Sequence, residues 1–271
     1  MAVDPVRGTG RARSREDVLA AVEAIPPLPA VAFRVMQVAQ DARSSAADLA
    51  TVVATDPGLT SAVLRAANSA AYHRMREVRS VQEALVMLGF EQARDIAMST
   101  AIAGSYAPNA LDALFRIEAF WRHSIAVAFR AAAIAGESRA SDAGAAFTAG
   151  ILHDMGRLAM FYADPAGVDQ AVAAAIARGE PFDALEHELL GYRHTEVGWL
   201  LAERWGLPAD IRDAIGMHHH AAALSVPGLA GVVAAADQYC VARGVLPGYL
   251  AARPETPAED AAFDRLMTRV D

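Results

Sequence analysis

The hydrophobic pattern of this chain restricts it to one fold class. Alanine and leucine recur at helical spacing along nearly the whole sequence, and no stretch alternates at the period of two that a half-buried β-strand requires. The chain has 271 residues, of which 54% are hydrophobic and 21% are charged, so it is long and apolar enough to bury a core. The sequence therefore predicts an all-α protein built from roughly a dozen helices.

Capping residues locate several helix ends. Asp56 precedes Pro57, which places a capping carboxylate before a proline at the first helical position. Ser80 followed by Glu83 is a capping-box pattern, and Gly89 can end the short helix that follows. Two further helix ends are predicted at Gly179 and Gly206.

Breaks in the helical pattern divide the chain. A first helix over about residues 15–24 is followed by Ile25–Pro29, whose three prolines cannot lie inside a helix. Pro108 and Asn109 interrupt the chain again, and a long helix from about Ala110 to Gly136 follows. We predict a helical N-terminal lobe packed on a helical core. The predicted segments are a disordered basic tail (1–14), the N-terminal lobe (15–108), the core (109–245) and a C-terminal tail with a short helix (246–271).

Composition excludes several classes of protein. The longest apolar run, Leu229–Ala236, is far shorter than the about 20 residues of a membrane-spanning helix. The N-terminal segment is basic but lacks the apolar stretch of a secretory signal. The single cysteine, Cys240, is predicted to be a small core residue in a reducing compartment, so we expect a cytoplasmic protein without a membrane span. The net charge of −8 argues against broad nucleic-acid binding, which needs a concentrated basic surface.

Histidine and aspartate residues of the second half occupy positions that favour metal binding. Asp154 lies among apolar neighbours, and Asp237 follows three alanines. A buried carboxylate needs a cation, because leaving it unpaired costs several kcal/mol. Gly156, two residues after Asp154, is expected to let the backbone turn sharply, so that the side chains of His153 and Asp154 converge on one point. The candidate metal ligands are His123, His153, Asp154, His194, His218, His219 and Asp237.

Each candidate also has an ordinary structural explanation. A single helical histidine is usually a polar or half-buried residue without a ligand. Asp154 could cap the helix that starts after it, and the run that ends at His220 could be a solvated helix end. Asp237 could instead pair with an arginine, for which the candidates are Arg130, Arg157 and Arg212.

The order of these residues, His…His-Asp…Asp, resembles the HD superfamily of metal-dependent phosphohydrolases. Within that superfamily the chain is most similar to the HDOD family, the helical signalling output domains of bacteria. The matching motifs of the first half are Pro26–Pro29, Asp56–Leu59 leading into Leu64–Ser69, and Ser80–Leu85 with Leu88-Gly89. Those of the second half are Phe120–Ser124, Gly150–Asp154, His194–Gly198, and Ala214-Ile215 with His218-His219. The resemblance covers about residues 25–243 and implies an HD-type helical core.

The resemblance also implies roles for individual residues. The core metal ligands of the HD superfamily match His123, His153, Asp154 and Asp237. The additional ligands of cyclic-dinucleotide phosphodiesterase relatives, which bind two metals, match His194, His218 and His219. Arg157 falls where those relatives usually have a phosphate-facing lysine, and arginine can hold a phosphate through two hydrogen bonds. Imidazole mixed with carboxylate favours a divalent transition metal (Mn, Fe or Zn) over Ca²⁺, and no other cofactor is expected.

Two departures from the phosphodiesterase pattern argue against catalysis, and no catalytic residue is assigned. Ala221–Ala223 replaces the Gly-Tyr-Pro loop that follows the double histidine in those enzymes, and Ala119 stands where a bridging glutamate would hold a further metal. We therefore expect a regulatory signal-transduction module that acts through a signalling-protein partner or a nucleotide ligand and binds a metal without turnover. The alternative is a metal-dependent phosphohydrolase with a nucleotide or cyclic-dinucleotide substrate. A third interpretation is a structural adaptor with vestigial histidines.

Overall fold

The fold is all-α, as the periodicity predicts. The structure is a computed structural model that describes residues 15–41, 43–69, 78–106, 115–138, 141–220, 223–225 and 228–247. Throughout these ranges the regular elements are fourteen α-helices and one short 3₁₀ turn, with no β-strand. Within the same ranges, no helix combines the length and hydropathy that crossing a bilayer requires.

The helices are short, with one exception. Those of the first half are α1 (Arg15–Ala24), α2 (Ala30–Gln40), α3 (Ala46–Ala54), α4 (Pro57–Ala67), α5 (Val81–Leu88) and α6 (Phe90–Ala103). Those of the second half are α7 (Ile117–Ser138), α8 (Ala143–Leu152), α9 (Met155–Ala163), α10 (Pro165–Arg178), α11 (Phe182–Leu190), α12 (His194–Arg204), α13 (Ala209–Met217) and α14 (Leu229–Val241). The 3₁₀ turn, Ala223–Ser225, lies between α13 and α14.

The predicted helix ends are confirmed by their hydrogen bonds and backbone angles. The Asp56 carboxylate accepts the N–H of Leu59 (3.0 Å) at the start of α4. The Ser80 hydroxyl accepts the N–H of Glu83 (3.1 Å) at the start of α5, and Gly89 ends that helix with φ of 82°. The predicted stops at Gly179 and Gly206 have φ of 68° and 67°, a backbone conformation that favours glycine.

The long helix α7 begins later than predicted. Phe115 and Arg116 are not helical, and α7 starts at Ile117 instead of near Ala110. The Phe115 ring is buried and stacks on Phe161, with ring centroids 4.9 Å apart. This contact is made across the fold, so helical periodicity cannot reveal it. The predicted break at residues 108–109 and both predicted tails lie outside the described residues, apart from 246–247, and the segment boundaries stay predictions.

Two groups of helices share one continuous hydrophobic core. Helices α2 to α6 pack mainly on one another, and α2 and α6 also contact α8. In the second half, α7 packs on α8 and α14, while α12 packs on α9 and α13. Helix α1 packs on α9 and α12, and the extended segment Ile25–Pro29 connects it to α2. The Tyr106 hydroxyl donates to the carbonyl of Pro26 in that segment (3.2 Å).

Glycines allow the helices around the candidate ligands to approach closely. A Cβ atom on Gly150 of α8 would lie 2.7 Å from the Cα of Ala128 on α7. A Cβ atom on Gly156 of α9 would collide with the carbonyl oxygen of His194 on α12 and lie 2.8 Å from the backbone nitrogen of Gly198. Gly156 therefore does not provide the sharp turn expected from the sequence, because it lies inside a helix. It brings α9 and α12 into backbone contact.

Candidate metal centre

Helix ends and two helix interiors bring all seven candidate ligands together. His123 lies inside α7 and Asp237 inside α14, whereas the other five lie at or next to the ends of helices. The ligand atoms form two groups, and within each group they lie within 4.8 Å of one another. We define the first cluster as His123, His153 and Asp237, and the second cluster as Asp154, His194, His218 and His219.

The first cluster converges on the Nε2 atom of His123. This atom lies 3.3 Å from the Nε2 atom of His153 and 3.2 Å from the Oδ1 atom of Asp237. The Oδ2 atom of Asp154 lies 3.5 Å from the Nε2 atom of His153 and 3.8 Å from that of His123. Four donor atoms, one from each of these residues, therefore surround one small volume.

The second cluster uses the other oxygen of Asp154. Its Oδ1 atom lies 3.3 Å from the Nε2 atom of His194 and 3.6 Å from that of His218. The two Nε2 atoms are themselves 3.3 Å apart. Asp154 thus connects the clusters through separate oxygens, which is the geometry of a carboxylate that can bridge two cations.

The outer nitrogens of four histidines are fixed by oxygen acceptors. The Nδ1 atoms of His153 and His218 donate to the carbonyls of Gly150 (2.7 Å) and Ile215 (2.8 Å). Both histidines directly follow the last residue of a helix, so these carbonyls belong to the last turn, where the helix itself supplies no donor. The other two pairs are His123 with the Val245 carbonyl (2.9 Å) and His194 with the Glu186 carboxylate (2.6 Å).

These hydrogen bonds determine which nitrogens can bind a cation. A carbonyl oxygen can only accept, so the Nδ1 atoms of His123, His153 and His218 carry the proton, and each of these rings when neutral has its lone pair on Nε2. In the first cluster the Nε2 atoms of His123 and His153 face each other at 3.3 Å, which is unfavourable unless a metal or a proton lies between them. The donor set therefore fits a divalent transition metal, and the outer partners orient the rings as they do around bound metals in other proteins.

Burial disfavours the charged form of three imidazoles of the centre. It lowers the pKa of His153 to about 3 and that of His219 to about 4, and it holds the pKa of His194 well below its usual range. His123 differs: burial lowers its pKa, but the hydrogen bond and charge of Asp237 outweigh burial and raise it. Without a metal, a proton on His123 can therefore occupy the space between His123 and Asp237, and a metal would displace it.

The carboxylates are buried but compensated. Burial raises the pKa of Asp154, and the Arg157 guanidinium with the neighbouring histidines more than offsets this, so the pKa lies well below its ordinary value. The pKa of Asp237 is likewise lowered, mainly by its hydrogen bond to His123, against the effect of burial. Asp154 occupies the position before α9 but its side chain caps no backbone N–H, so the capping explanation is wrong. The ion pairs of Asp237 are with His123 and His219, not with arginine.

Glu186 is a site residue that the sequence analysis missed. Its side chain is fully buried, and its Oε2 atom accepts both the backbone N–H (2.9 Å) and the Nδ1–H (2.6 Å) of His194. Burial raises its pKa to about 8, while Arg157 and the His194 backbone N–H oppose that rise. The available signal was its position on the apolar face of α11, in register with Phe182, Leu185 and Leu190.

The centre has one partly exposed member. The His219 side chain is 31% exposed, while the other six candidate ligands have at most 4% of their surface exposed. His220, for which a solvated helix end was the alternative, is exposed.

Comparisons with known proteins agree with this architecture. The family model of the HDOD domain matches residues 25–221. A crystal structure of an HDOD domain protein of unknown function from Geobacter sulfurreducens superposes with a TM-score of 0.73 at 26% identity, covering 94% of this chain and 88% of that one. A proposed phosphohydrolase from Shewanella amazonensis gives 0.68 at 27% identity and 93% coverage of both chains.

A curated relative is more distant. An uncharacterised protein of Treponema pallidum is 22% identical over 203 residues, which are 73% of this chain. The chain spans only 38% of the length of that relative. The family model nevertheless covers well over half of the 271 residues, and its range includes the helical motifs and the His-Asp pair at 153–154. The chain belongs to the HDOD domain family.

Proposed function

We propose that this chain is a regulatory module that holds a divalent transition metal (Mn, Fe or Zn) and signals by binding a protein partner, without turnover. The observation that carries the proposal is the convergence of buried Nε2 lone pairs on the carboxylates of Asp154 and Asp237. Such a donor set favours a bound cation, because facing lone pairs and buried carboxylates are unfavourable without one. The bound metal would fix helices from distant parts of the chain relative to one another.

Three features support binding without turnover. Six of the seven candidate ligands are buried, so a phosphodiester has little room to approach them. Ala119 on α7 provides no carboxylate for a further metal. The Gly-Tyr-Pro loop of the phosphodiesterases is absent from the sequence after His219. The partner is a signalling protein, with a nucleotide as the alternative ligand, and the net charge of −8 disfavours nucleic acid.

A metal-dependent phosphohydrolase is the second candidate function. It is favoured by the completeness of the ligand set and by the bridging position of Asp154. A bound metal would supply Lewis-acid polarisation of a phosphoryl oxygen. In this function the predicted phosphate-facing cation is Arg157, whose guanidinium lies beside Asp154.

Metal content and turnover, measured on the same protein, test the proposal. Protein purified without chelator and then reconstituted with Mn²⁺ should contain bound metal by elemental analysis, and Asp154→Ala should contain none. With a cyclic dinucleotide or a simple phosphodiester, the parent should hydrolyse no faster than Asp154→Ala. A turnover near 1 s⁻¹, at the low end of ordinary enzymes, that is lost in Asp154→Ala would establish the phosphohydrolase instead. A parent at background metal content would contradict both functions and favour the vestigial adaptor.

A further inference from the structure

The second cluster contains a permanent positive charge of the protein itself. Three nitrogens of the Arg157 guanidinium face three different groups: Nε lies 2.9 Å from Asp154 Oδ1, Nη2 lies 3.4 Å from His219 Nε2, and Nη1 lies 3.5 Å from Glu186 Oε1. The Arg157 side chain is only 3% exposed. A guanidinium stays protonated at any pH that a folded protein tolerates, and it has no lone pair to offer a metal.

Arg157 therefore contacts the same ligand atoms that a metal in the second cluster would need. It donates to the same Asp154 oxygen that faces His194 and His218. It also contacts a ring nitrogen of His219. A divalent ion placed among these atoms would compete with the guanidinium for Asp154 and would be repelled by its charge at close range.

The first cluster differs from the second cluster in its charge, because no guanidinium faces it in the contacts described above. Asp237 pairs there with His123, and Asp154 turns its other oxygen toward His123 and His153. The two carboxylates together carry two negative charges, which one divalent metal neutralises. A second divalent metal would therefore find both aspartates already neutralised and the Arg157 charge beside it.

We propose that Arg157 makes the centre mononuclear: its guanidinium takes the place of a second metal, and one divalent ion binds between His123, His153, Asp154 and Asp237. The inference rests on the proposed metal binding and specifies its stoichiometry. It also gives the second cluster a role of its own, which is to hold the guanidinium through Asp154 and His219.

A titration with Mn²⁺ alone tests the stoichiometry. The full chain is stripped with chelator, dialysed and titrated while electron paramagnetic resonance follows the signal of free Mn²⁺. The parent should bind one Mn²⁺ per chain, and Arg157→Met, which removes the charge but keeps an unbranched apolar stem, should bind two. The matched control is Arg178→Met, which removes an exposed arginine paired with Glu188 and should still bind one. Two ions in the parent, or one in Arg157→Met, would overturn the inference while leaving the proposed function intact. A parent that binds none would refute both.

Two histidine variants keep the test decisive if Arg157→Met does not fold. His219 belongs to the second cluster and is the partly exposed member, so His219→Ala should still bind one Mn²⁺. His123 belongs to the first cluster, so His123→Ala should bind none. Loss of the ion in folded His219→Ala, or its retention in His123→Ala, would show that the metal does not occupy the first cluster alone. Circular dichroism of each variant verifies that the helices are present.

Discussion

Asp154 has 1% of its surface exposed, and its two carboxylate oxygens face different sets of imidazoles. An ion buried to this extent is unfavourable unless cations compensate it. Arg157 provides one positive charge, while the neutral rings of His153 and His194 provide only lone pairs. The second carboxylate of the first cluster, Asp237, faces His123, so its compensation comes from solution, either as a metal or as a proton on His123. Removing the Asp154 carboxylate therefore changes both clusters together.

A second buried carboxylate lies outside the metal centre and gives a pH prediction. Asp95 on α6 is paired with Arg94 (2.6 Å), yet burial raises its pKa to about 6 against the opposing effect of Arg94. In the unfolded chain the pKa is about 3.9, so the folded protein binds this proton more tightly. Relative to Asp95→Asn, the parent should therefore gain stability as the pH falls from 7 to 4, by up to about 3 kcal/mol. Urea unfolding of both proteins in chelator, across this pH range, measures the difference.

The control for Asp95 is a carboxylate whose pKa is shifted in the opposite direction. Asp48 is fully exposed, and its hydrogen bonds with Ser45 lower its pKa. Its stabilising effect should be present at pH 7 and be lost below about pH 4, between the unfolded pKa and the lowered folded pKa. With the unfolding series extended below that pH, the parent should therefore lose stability relative to Asp48→Asn. If both substitutions gave the same slope with pH, the burial of Asp95 would not be the cause.

The sequence identified the candidate ligands but not the groups that orient their side chains. The seven candidate ligands could be identified because histidine and aspartate in apolar sequence are unusual and because their order resembles the HD pattern. The groups that accept from the Nδ1 atoms of the histidines could not be identified in this way. They are the backbone carbonyls of Gly150, Ile215 and Val245, and any residue provides such a group. Glu186 was missed because a glutamate in an amphipathic helix is usually exposed.

At the scale of helices, the candidate ligands depend on where each helix ends. His153 and His218 directly follow α8 and α13, and His194 is the first residue of α12. Other helix ends, such as those at Asp56, Ser80 and Gly179, were predictable, because caps and breaks are local features of sequence. The start of α7 was not predictable, because Phe115 lies outside the helix in contact with Phe161, which is far away in sequence. The close approach of α9 to α12 at Gly156 was also unpredictable, because it depends on which helices become neighbours.

A substitution at Gly156 tests whether the close approach of α9 and α12 matters for stability and metal binding. In Gly156→Ala the added methyl group meets the backbone of His194 and Gly198, which cannot rotate away. Helices α9 and α12 must move apart, so the variant should lose about 1–3 kcal/mol of stability, as overpacked cores do. Asp154 directly precedes α9, so its carboxylate should also be displaced and Mn²⁺ should bind less tightly. Chemical unfolding and Mn²⁺ titration measure the two effects.

The control is a glycine inside a helix with room around it. Gly136 lies in α7, is exposed, and an added Cβ would meet nothing within 4 Å. Gly136→Ala should therefore stabilise the protein by about 0.5–1 kcal/mol, because alanine is the better helix former, and leave metal affinity unchanged. Equal stability in Gly156→Ala and the parent would mean that the close approach of α9 and α12 does not matter.

At the scale of the whole molecule, the candidate centre connects parts of the chain that lie far apart in sequence. Its ligands run from His123 on α7 to Asp237 on α14, and the elements that hold them pack on the same core as the first half. The all-α class followed from periodicity alone. The arrangement of the helices did not, because periodicity identifies buried faces without pairing them, and here the family resemblance supplied the missing information.

The measurement that tests the central claim most directly is a pair of thermal melts, one with Mn²⁺ and one with chelator. A metal that binds only the folded state adds about 2.7 kcal/mol at a hundredfold excess over its dissociation constant. For a chain of this size, chelation should lower the melting temperature of the parent by roughly 5–10 °C. The same shift is expected for Glu118→Ala, which removes an exposed carboxylate of α7. In Asp154→Ala the two melts should coincide. Coincident melts in the parent, or an equal shift in Asp154→Ala, would contradict a metal centre built on Asp154.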